Sequence, residues 1–321
     1  MCKKKPCKVG ENKSGIVRDI PMACACEDAA VAFMEHQRWG KEPRCPICGS
    51  IKVYQMMCRD QTRRERNYRW RCRDCGERYT VRTGTIMADS RIPLRYWCHA
   101  FWRVCSSKKG VSAKQIRRET GISYKSSLFL LHRIRFGMAD MEGVKLSGTV
   151  EADETYVGGK PRHKGKNKRG RGTKKQPVFG MVERSGKVHT RIIADVTAKT
   201  LKGAIREVVD NQSQIMTDEN SAYKGLGAEY AGGHKVVTQS AREYVRGDAH
   251  TNTIESVFAL VKRGVYVVYH NVSKEHLHRY LSEFDFRYNH RSFDDGERMV
   301  TAICKSEGRR LMYREPLVPT A

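Results

Sequence analysis

The spacing of apolar residues changes several times along the chain, and each change marks an element. Ala30, Phe33 and Met34 recur at helical spacing and predict a short helix near 27–38. Tyr68-Arg69-Trp70-Arg71 and Tyr79-Thr80-Val81 are β-rich runs placed to form a hairpin. Pro93 suits the first turn of a helix, and Trp97, Phe101, Val104 and Cys105 line one face of it as core positions. Two further helices flank Gly121 within 111–136. Ser112 with Gln115 makes a capping box for the first, which turns Ile116 inward, and Ser123 caps the second, which carries Leu128, Leu131 and Ile134. From residue 148 the pattern becomes that of strands, at 149–157, 177–183 and 187–196, followed by a helix at 198–209 and strands at 213–218 and 234–239. After Thr251 the helical period returns. Ile254, Val257, Phe258 and Val261 fall at i, i+3, i+4 and i+7, and a second helix over 273–289 holds Leu277, Leu281 and Phe284 inside.

Charge narrows what such a chain can meet. Lys and Arg number 61 against 35 Asp and Glu, a net +26 over 321 residues. That excess points to a polyanion, with nucleic acid as the leading class. No strongly amphipathic basic helix favours a membrane surface instead, and no run of about 18 apolar residues predicts a membrane span. The start, Met-Cys-Lys-Lys-Lys-Pro-Cys-Lys, is basic but lacks the apolar stretch of a secretion signal, so a cytoplasmic location is expected, nucleoid-associated on DNA. Twelve cysteines in an unsecreted chain favour metal binding and free thiols over disulfides. In the second helix of the 111–136 pair, Lys125, Arg133 and Arg135 are candidate DNA contacts, as in a helix-turn-helix. A basic loop over 160–176 adds Lys164, Lys166, Lys168, Arg169, Arg171, Lys174 and Lys175 for gripping phosphates.

Two motifs carry chemistry. Cys45-Pro-Ile-Cys48 and Cys72-Arg-Asp-Cys75, with 23 residues between them, fit a zinc ribbon in which each knuckle offers two thiolates to one tetrahedral ion. The other is acidic. Thr149-Val-Glu-Ala-Asp-Glu-Thr-Tyr-Val-Gly-Gly159 reads as a buried strand, where carboxylates are costly unless a cation or partner compensates them. Asp153 on that strand and Asp218 at the end of the fourth would lie side by side if the strands are neighbours. Glu255 would then come from the first turns of the following helix, with Asn252 and Lys262 on its face. Glu151 shares a strand face with Asp153 and is either a ligand or a supporting group, whereas Glu154 and Glu219 point away and are expected in structural ion pairs. Carboxylates suit Mg²⁺ or Mn²⁺, and two such ions about 3.5–4 Å apart can serve DNA phosphoryl transfer. Three antiparallel strands, a helix and a fourth strand match the opening of an RNase H-like α/β core.

Together these motifs resemble the DDE transposases of bacterial insertion sequences, in the zinc-ribbon group related to the Merlin elements. The resemblance spans roughly residues 25–292. It is carried by the two CxxC pairs, Thr83-Gly84-Thr85, Ile92-Pro93-Leu94 with Trp97, and Glu151 through Gly159. Thr217-Asp218-Glu219 with Tyr223, His250 through Glu255, Lys262-Arg263-Gly264, Leu277-His278-Arg279-Tyr280 and Phe286-Arg287-Tyr288-Asn289 complete it. It implies that Asp153, Asp218 and Glu255 are the catalytic, metal-binding triad and that Lys262 is a basic residue two turns after the glutamate. The expected organisation is a mobile basic tail (1–22), a zinc ribbon with leading helix (23–88), a helix-turn-helix (89–146), a catalytic domain (147–292) and a C-terminal tail (293–321). The expected activity is cleavage at the element's inverted repeats and joining of the freed ends to target duplex, by a homo-oligomer on DNA with two Mg²⁺ per active site and one structural Zn²⁺. The rival readings are a non-catalytic DNA-binding regulator and an RNase H-like nuclease or resolvase that cuts without joining.

Overall fold

Small polar residues and glycines set several of the helix boundaries. Ser112 Oγ accepts from Gln115 N at the start of one helix, and Gly121 at φ +76° ends it, a backbone state that costs glycine nothing. The capping box is half formed, because the Gln115 side chain donates to Glu119 instead of returning to Ser112. The computed structural model describes residues 13–140, 143–158, 175–238, 245 and 247–313. The chain divides into two units, residues 1–138 with 292–321, and residues 139–291.

The first unit holds α1 (Lys13–Ala25), α2 (Glu27–Trp39), a sheet of β1 (Val53–Gln55), β2 (Trp70–Cys72) and β3 (Arg78–Tyr79), α3 (Leu94–Ser106), α4 (Ala113–Thr120) and α5 (Tyr124–Met138). The expected strand runs at 68–71 and 79–81 shift slightly, and β1 adds an antiparallel partner to β2. Glu27 accepts from Leu94 N at 2.7 Å and Arg95 N at 3.2 Å, so a carboxylate on α2 caps α3 across 67 residues of sequence.

Both expected tails need correction. Residues 13–22 belong to α1, with Ile20 and Ala23 buried; residues 1–12 lie outside the described residues. A further helix of this unit, Asp295–Lys305, packs on α1, α2, α3 and α5, with Met299, Val300, Ala302 and Ile303 buried. Its signal was legible. Asp294 and Glu297 form a complete capping box ahead of a helical apolar stripe.

The second unit is a five-stranded sheet of β4 (Thr149–Val157), β5 (Gln176–Glu183), β6 (Val188–Ile192), β7 (Gln214–Asp218) and β8 (His234–Val237), in the order β6-β5-β4-β7-β8. The first three strands are antiparallel, and β7 and β8 run parallel to β4 and β7 respectively. Alternation gives the sheet two apolar faces. Val150, Ala152, Phe179, Met181 and Ile215 pack with α6 (Ala198–Val208), the crossover between β6 and β7, while Val157, Val178 and Val182 pack with α7 (Asn252–Arg263) and α8 (Leu277–Asn289).

Two details hold the helices on their face. On α8, Asn289 accepts from Val188 N and donates to Val188 O, and Asp285 accepts from Thr190 N, so side chains cover the open edge of β6. On β5, Gly180 pairs with Asp153, and a Cβ there would lie 2.7 Å from Ile254 Cδ1 and 2.8 Å from the Phe258 ring. A missing side chain thus lets α7 lie flat on the strand beside the acidic residues. Gly180→Ala is expected to cost about 1–3 kcal/mol of stability through this overlap. Denaturant unfolding checks it, and an unchanged midpoint would mean that α7 does not rest there.

Candidate active site, metal centre and DNA-facing helices

The parallel pairing of β4 and β7 matches Thr149 to Gln214, Val150 to Ile215 and Glu151 to Met216. Two residues further on, the same register sets Asp153 beside Asp218, on the face covered by α7. Asp153 takes Glu154 N at 2.7 Å and Asp218 takes Asn220 N at 3.1 Å; no hydrogen bond or ion pair from a cationic side chain joins them among the described residues. Burial, then the charges of Glu154, Asp218 and Glu255, push Asp153 up to about 8. Burial, with the charges of Glu154 and Glu219, pushes Asp218 up to about 6 against the pull of Asn220 N.

Glu255 sits exposed in the first turn of α7, where Thr251 Oγ1 donates to it at 3.1 Å. Lys262, two turns on, is half-buried. Burial lowers its pKa, the charges of Asp153 and Glu255 raise it, and Lys175 lowers it further, so these groups share one electrostatic neighbourhood. Asn252 is exposed at the start of the same helix.

Glu151 has a different situation. It is fully buried and accepts from Arg184 Nε at 2.9 Å, Thr253 N at 2.8 Å, Thr253 Oγ1 at 2.9 Å and Ile254 N at 3.2 Å, with His250 Nδ1 at 3.1 Å. Its oxygens are taken by protein donors, so it anchors the N-terminus of α7 and has no lone pair in want of a cation. Glu154 lies on the opposite face from Asp153 as expected, but it has no ion pair among the described residues: it accepts from Asn220 Nδ2 at 2.7 Å and Tyr223 OH at 2.6 Å. Tyr223 and Asn220 thereby join the surroundings of the two aspartates, a link that strand alternation did not reveal.

The sulfur site is tighter. Cys45, Cys48, Cys72 and Cys75 bring their Sγ atoms within 4.8 Å of one another, with 3.7 Å between Cys45 and Cys75 and 3.6 Å between Cys48 and Cys72. A tetrahedral ion with Zn–S bonds of about 2.3 Å needs sulfurs about 3.8 Å apart, so the donor set fits. Each knuckle closes in the same way: Gly49 N donates to Cys45 O and Gly76 N to Cys72 O, both glycines at positive φ. Peptide N–H groups of Cys75 and Asp74 help to pull the Cys72 thiol down to about 7, while burial and the neighbouring sulfurs push Cys75 up to about 12, so without a metal the four sulfurs share protons unequally.

The expected DNA contacts divide. Lys125 is exposed near the start of α5, its Nζ 5.0 Å from the Tyr313 ring centre. Arg133 and Arg135 are instead buried, at 7% and 1% exposure. Arg133 donates to Leu311 O and Ala88 O, so it ties the inner side of α5 to the rest of its unit. The helical face that contains Leu131 and Ile134 wraps far enough to include them, which a simple charge count overlooked. Lys114, Arg117 and Arg118 on α4, with Tyr124, line an open cleft and were missed. Residues 159–174 of the basic loop lie outside the described residues; Lys175 is exposed.

These features define a class: a zinc-ribbon protein with a clustered-carboxylate α/β sheet. An ISXO2-like transposase domain matches residues 145–289 and a transposase zinc-ribbon domain matches residues 26–78. The chain belongs to the zinc-ribbon DDE transposases of insertion sequences. It is 29% identical over 282 residues, 81% of this chain and 90% of the relative, to a protein in transposable element ISH50 of Halobacterium salinarum. A pre-cleavage Mos1 transpososome structure is similar with a TM-score of 0.25 and 11% identity, covering 63% of this chain and 75% of that one.

Two outcomes follow from the site's electrostatics. A carboxylate raised to about 8 in the folded state, against about 3.9 in an unfolded chain, favours the protonated fold. Stability of the metal-free protein should therefore fall as pH rises from about 4 through about 8. Asp153→Asn should flatten that fall, as read by denaturant midpoints at pH 6 and pH 9; parallel curves would refute the shift. For the ribbon, metal analysis should find about one zinc per chain, lost in Cys72→Ser, and full zinc in that variant would refute the ligand assignment.

Proposed function

We propose that this transposase binds the terminal inverted repeats of its element, cuts at the ends and joins each freed 3′-OH to target DNA, with Asp153, Asp218 and Glu255 at the reacting phosphate. The β4–β7 register, continued two residues past Glu151 and Met216 to bring Asp153 beside Asp218, with α7 laid over β4 and β5, carries this reading. The strand order β6-β5-β4-β7-β8 supports an RNase H-like core, and the α4–α5 pair with its three-residue turn supports a helix-turn-helix.

The donors are all carboxylate oxygens, the set a hard cation such as Mg²⁺ or Mn²⁺ takes, and burial with the surrounding carboxylates raises the Asp153 pKa, which supports a cation there. Asp153, Asp218 and Glu255 would hold two such ions, which supply charge neutralisation at the phosphate and activation of the attacking oxygen. The chain's own residues do the rest. Glu151 keeps α7, and with it Glu255, against the sheet. Lys262 and Lys175 offer cationic groups to the backbone of the bound end, and Asn252 can orient it. Burial, with the negative charge of Glu154 held by Tyr223 and Asn220, raises the Asp153 pKa, so a bound cation would favour its ionised form. Lys114, Arg117, Arg118 and Lys125 are the proposed duplex contacts of α4 and α5. Joining requires two paired ends, so the working form is at least a dimer on DNA, in the cytoplasm with the nucleoid.

Asp153→Asn should reduce Mg²⁺-dependent nicking of a repeat-end duplex by about a thousandfold or more while gel-shift binding persists. Nicking at the wild-type rate would sink the assignment. Nicking with no strand-transfer product would favour the nuclease reading.

A further inference from the structure

The ribbon sheet has two unlike faces. On the inner one, Trp70, Cys72 and Tyr79 are buried with Cys45, and Trp39 meets Trp70 and Tyr79 edge-on at 5.6 and 5.9 Å. The outer one carries a row in register. Tyr54 pairs with Arg71, and Arg71 with Arg78, all three exposed on adjacent strands. The Arg73 guanidinium lies 5.3 Å from the Tyr54 ring centre and extends the row. Arg71, Arg73 and Arg78 enter no ion pair among the described residues, while nearby Asp74 is taken by Ser50 Oγ at 2.6 Å and Lys52 Nζ at 3.6 Å.

Like charges directly opposite on neighbouring strands are destabilising, so Arg71 opposite Arg78 is a cost to the isolated fold. A polyanion laid across the row removes that cost. The surrounding sequence has the matching sign: residues 41–82 contain twelve Lys and Arg against five Asp and Glu. Arginine presents a planar fork suited to phosphate oxygens, and stacking of Arg73 on Tyr54 fixes one fork in advance. The cysteine knuckles sit at the ends of β1 and β2, so metal in the ribbon would hold the row in place.

We propose that this outer face, formed by Tyr54, Arg71, Arg73 and Arg78, is a second duplex-DNA surface that grips the phosphate backbone, separate from the contacts of α4 and α5. It rests on the reading of the chain as an enzyme acting on duplex DNA. The face contributes affinity and salt dependence, because its groups match phosphates and present no set of base-reading donors and acceptors.

The test uses the full chain and a short labelled duplex of arbitrary sequence, titrated across a range of NaCl concentrations. Arg71→Ala with Arg78→Ala should flatten the plot of log affinity against log salt by about 1.8, the loss of two phosphate contacts at about 0.9 each. Zinc content should stay at the wild-type value, and the thermal midpoint should hold or rise as the Arg71–Arg78 repulsion is removed. Arg71→Lys with Arg78→Lys keeps the charge and should keep the slope, and Arg71→Gln with Arg78→Gln repeats the neutral case with a longer side chain. Neutral pairs that bind duplex with the wild-type affinity and slope would overturn this surface alone, as would an effect confined to single-stranded DNA. A wild-type chain without affinity for duplex would overturn the proposed function and this surface with it.

Discussion

A carboxylate with no exposed surface in the central strand of the sheet organises the second unit. Glu151 in an apolar interior would cost several kcal/mol if left alone. Its compensation comes from Arg184 and from the first peptide N–H groups of α7. The same Arg184 binds the carbonyls of Asp248 and His250, so the chain entering α7 is held by one network. That network fixes where α7 begins on β4. Glu255 lies two residues beyond Thr253 on the helix, and Asp153 lies two residues beyond Glu151 on the strand. One buried charge therefore sets the relation between them, while Gly180 keeps the helix close enough for it to matter.

The neighbouring aspartates show the opposite arrangement on the same sheet. Glu151 is saturated with donors, whereas Asp153 and Asp218 each take one backbone N–H and are crowded by Glu154, Glu219 and each other. Saturation makes a structural anchor; unmet charge makes a place for a cation, the role proposed for these two. The first unit uses the anchoring device as well, with Glu27 at the start of α3. Its metal chemistry is different in kind. Four thiolates at tetrahedral spacing suit zinc, and oxygen donors suit a hard ion, so the two centres need not compete for one metal.

Much of this was legible because the signals were local. Alternation and helical spacing located β4, β5, β7 and α6 to within a residue and the start of α7 likewise, while α8 begins four residues later than expected, since each has one face toward a core. The CxxC knuckles were legible because a tetrahedral site demands that spacing. Asp153 and Asp218 were legible as a pair once their strands were taken as neighbours. Where reading failed, the deciding contact was distant in sequence. Arg133 and Arg135 look like a DNA face by charge, yet Ala88 and Leu311 accept from Arg133 inside the fold. Residues 295–305 were read as part of a tail although their capping box and apolar stripe are local signals, and only their docking on α1, α2, α3 and α5 depends on distant contacts.

By itself, the sequence determined most elements of the second unit, the four clustered cysteines and a strongly basic net charge, because propensity, spacing and net charge are properties of short stretches or of the whole sum. The tertiary structure alone decided which acids are anchors and which are left with unmet charge, which arginines face outward, and that the last helix closes the first unit. Each of those depends on burial and on donors supplied from far along the chain. Glu151 and Asp153 are two residues apart and chemically alike, and only the folded surroundings make one a clamp and the other a candidate ligand.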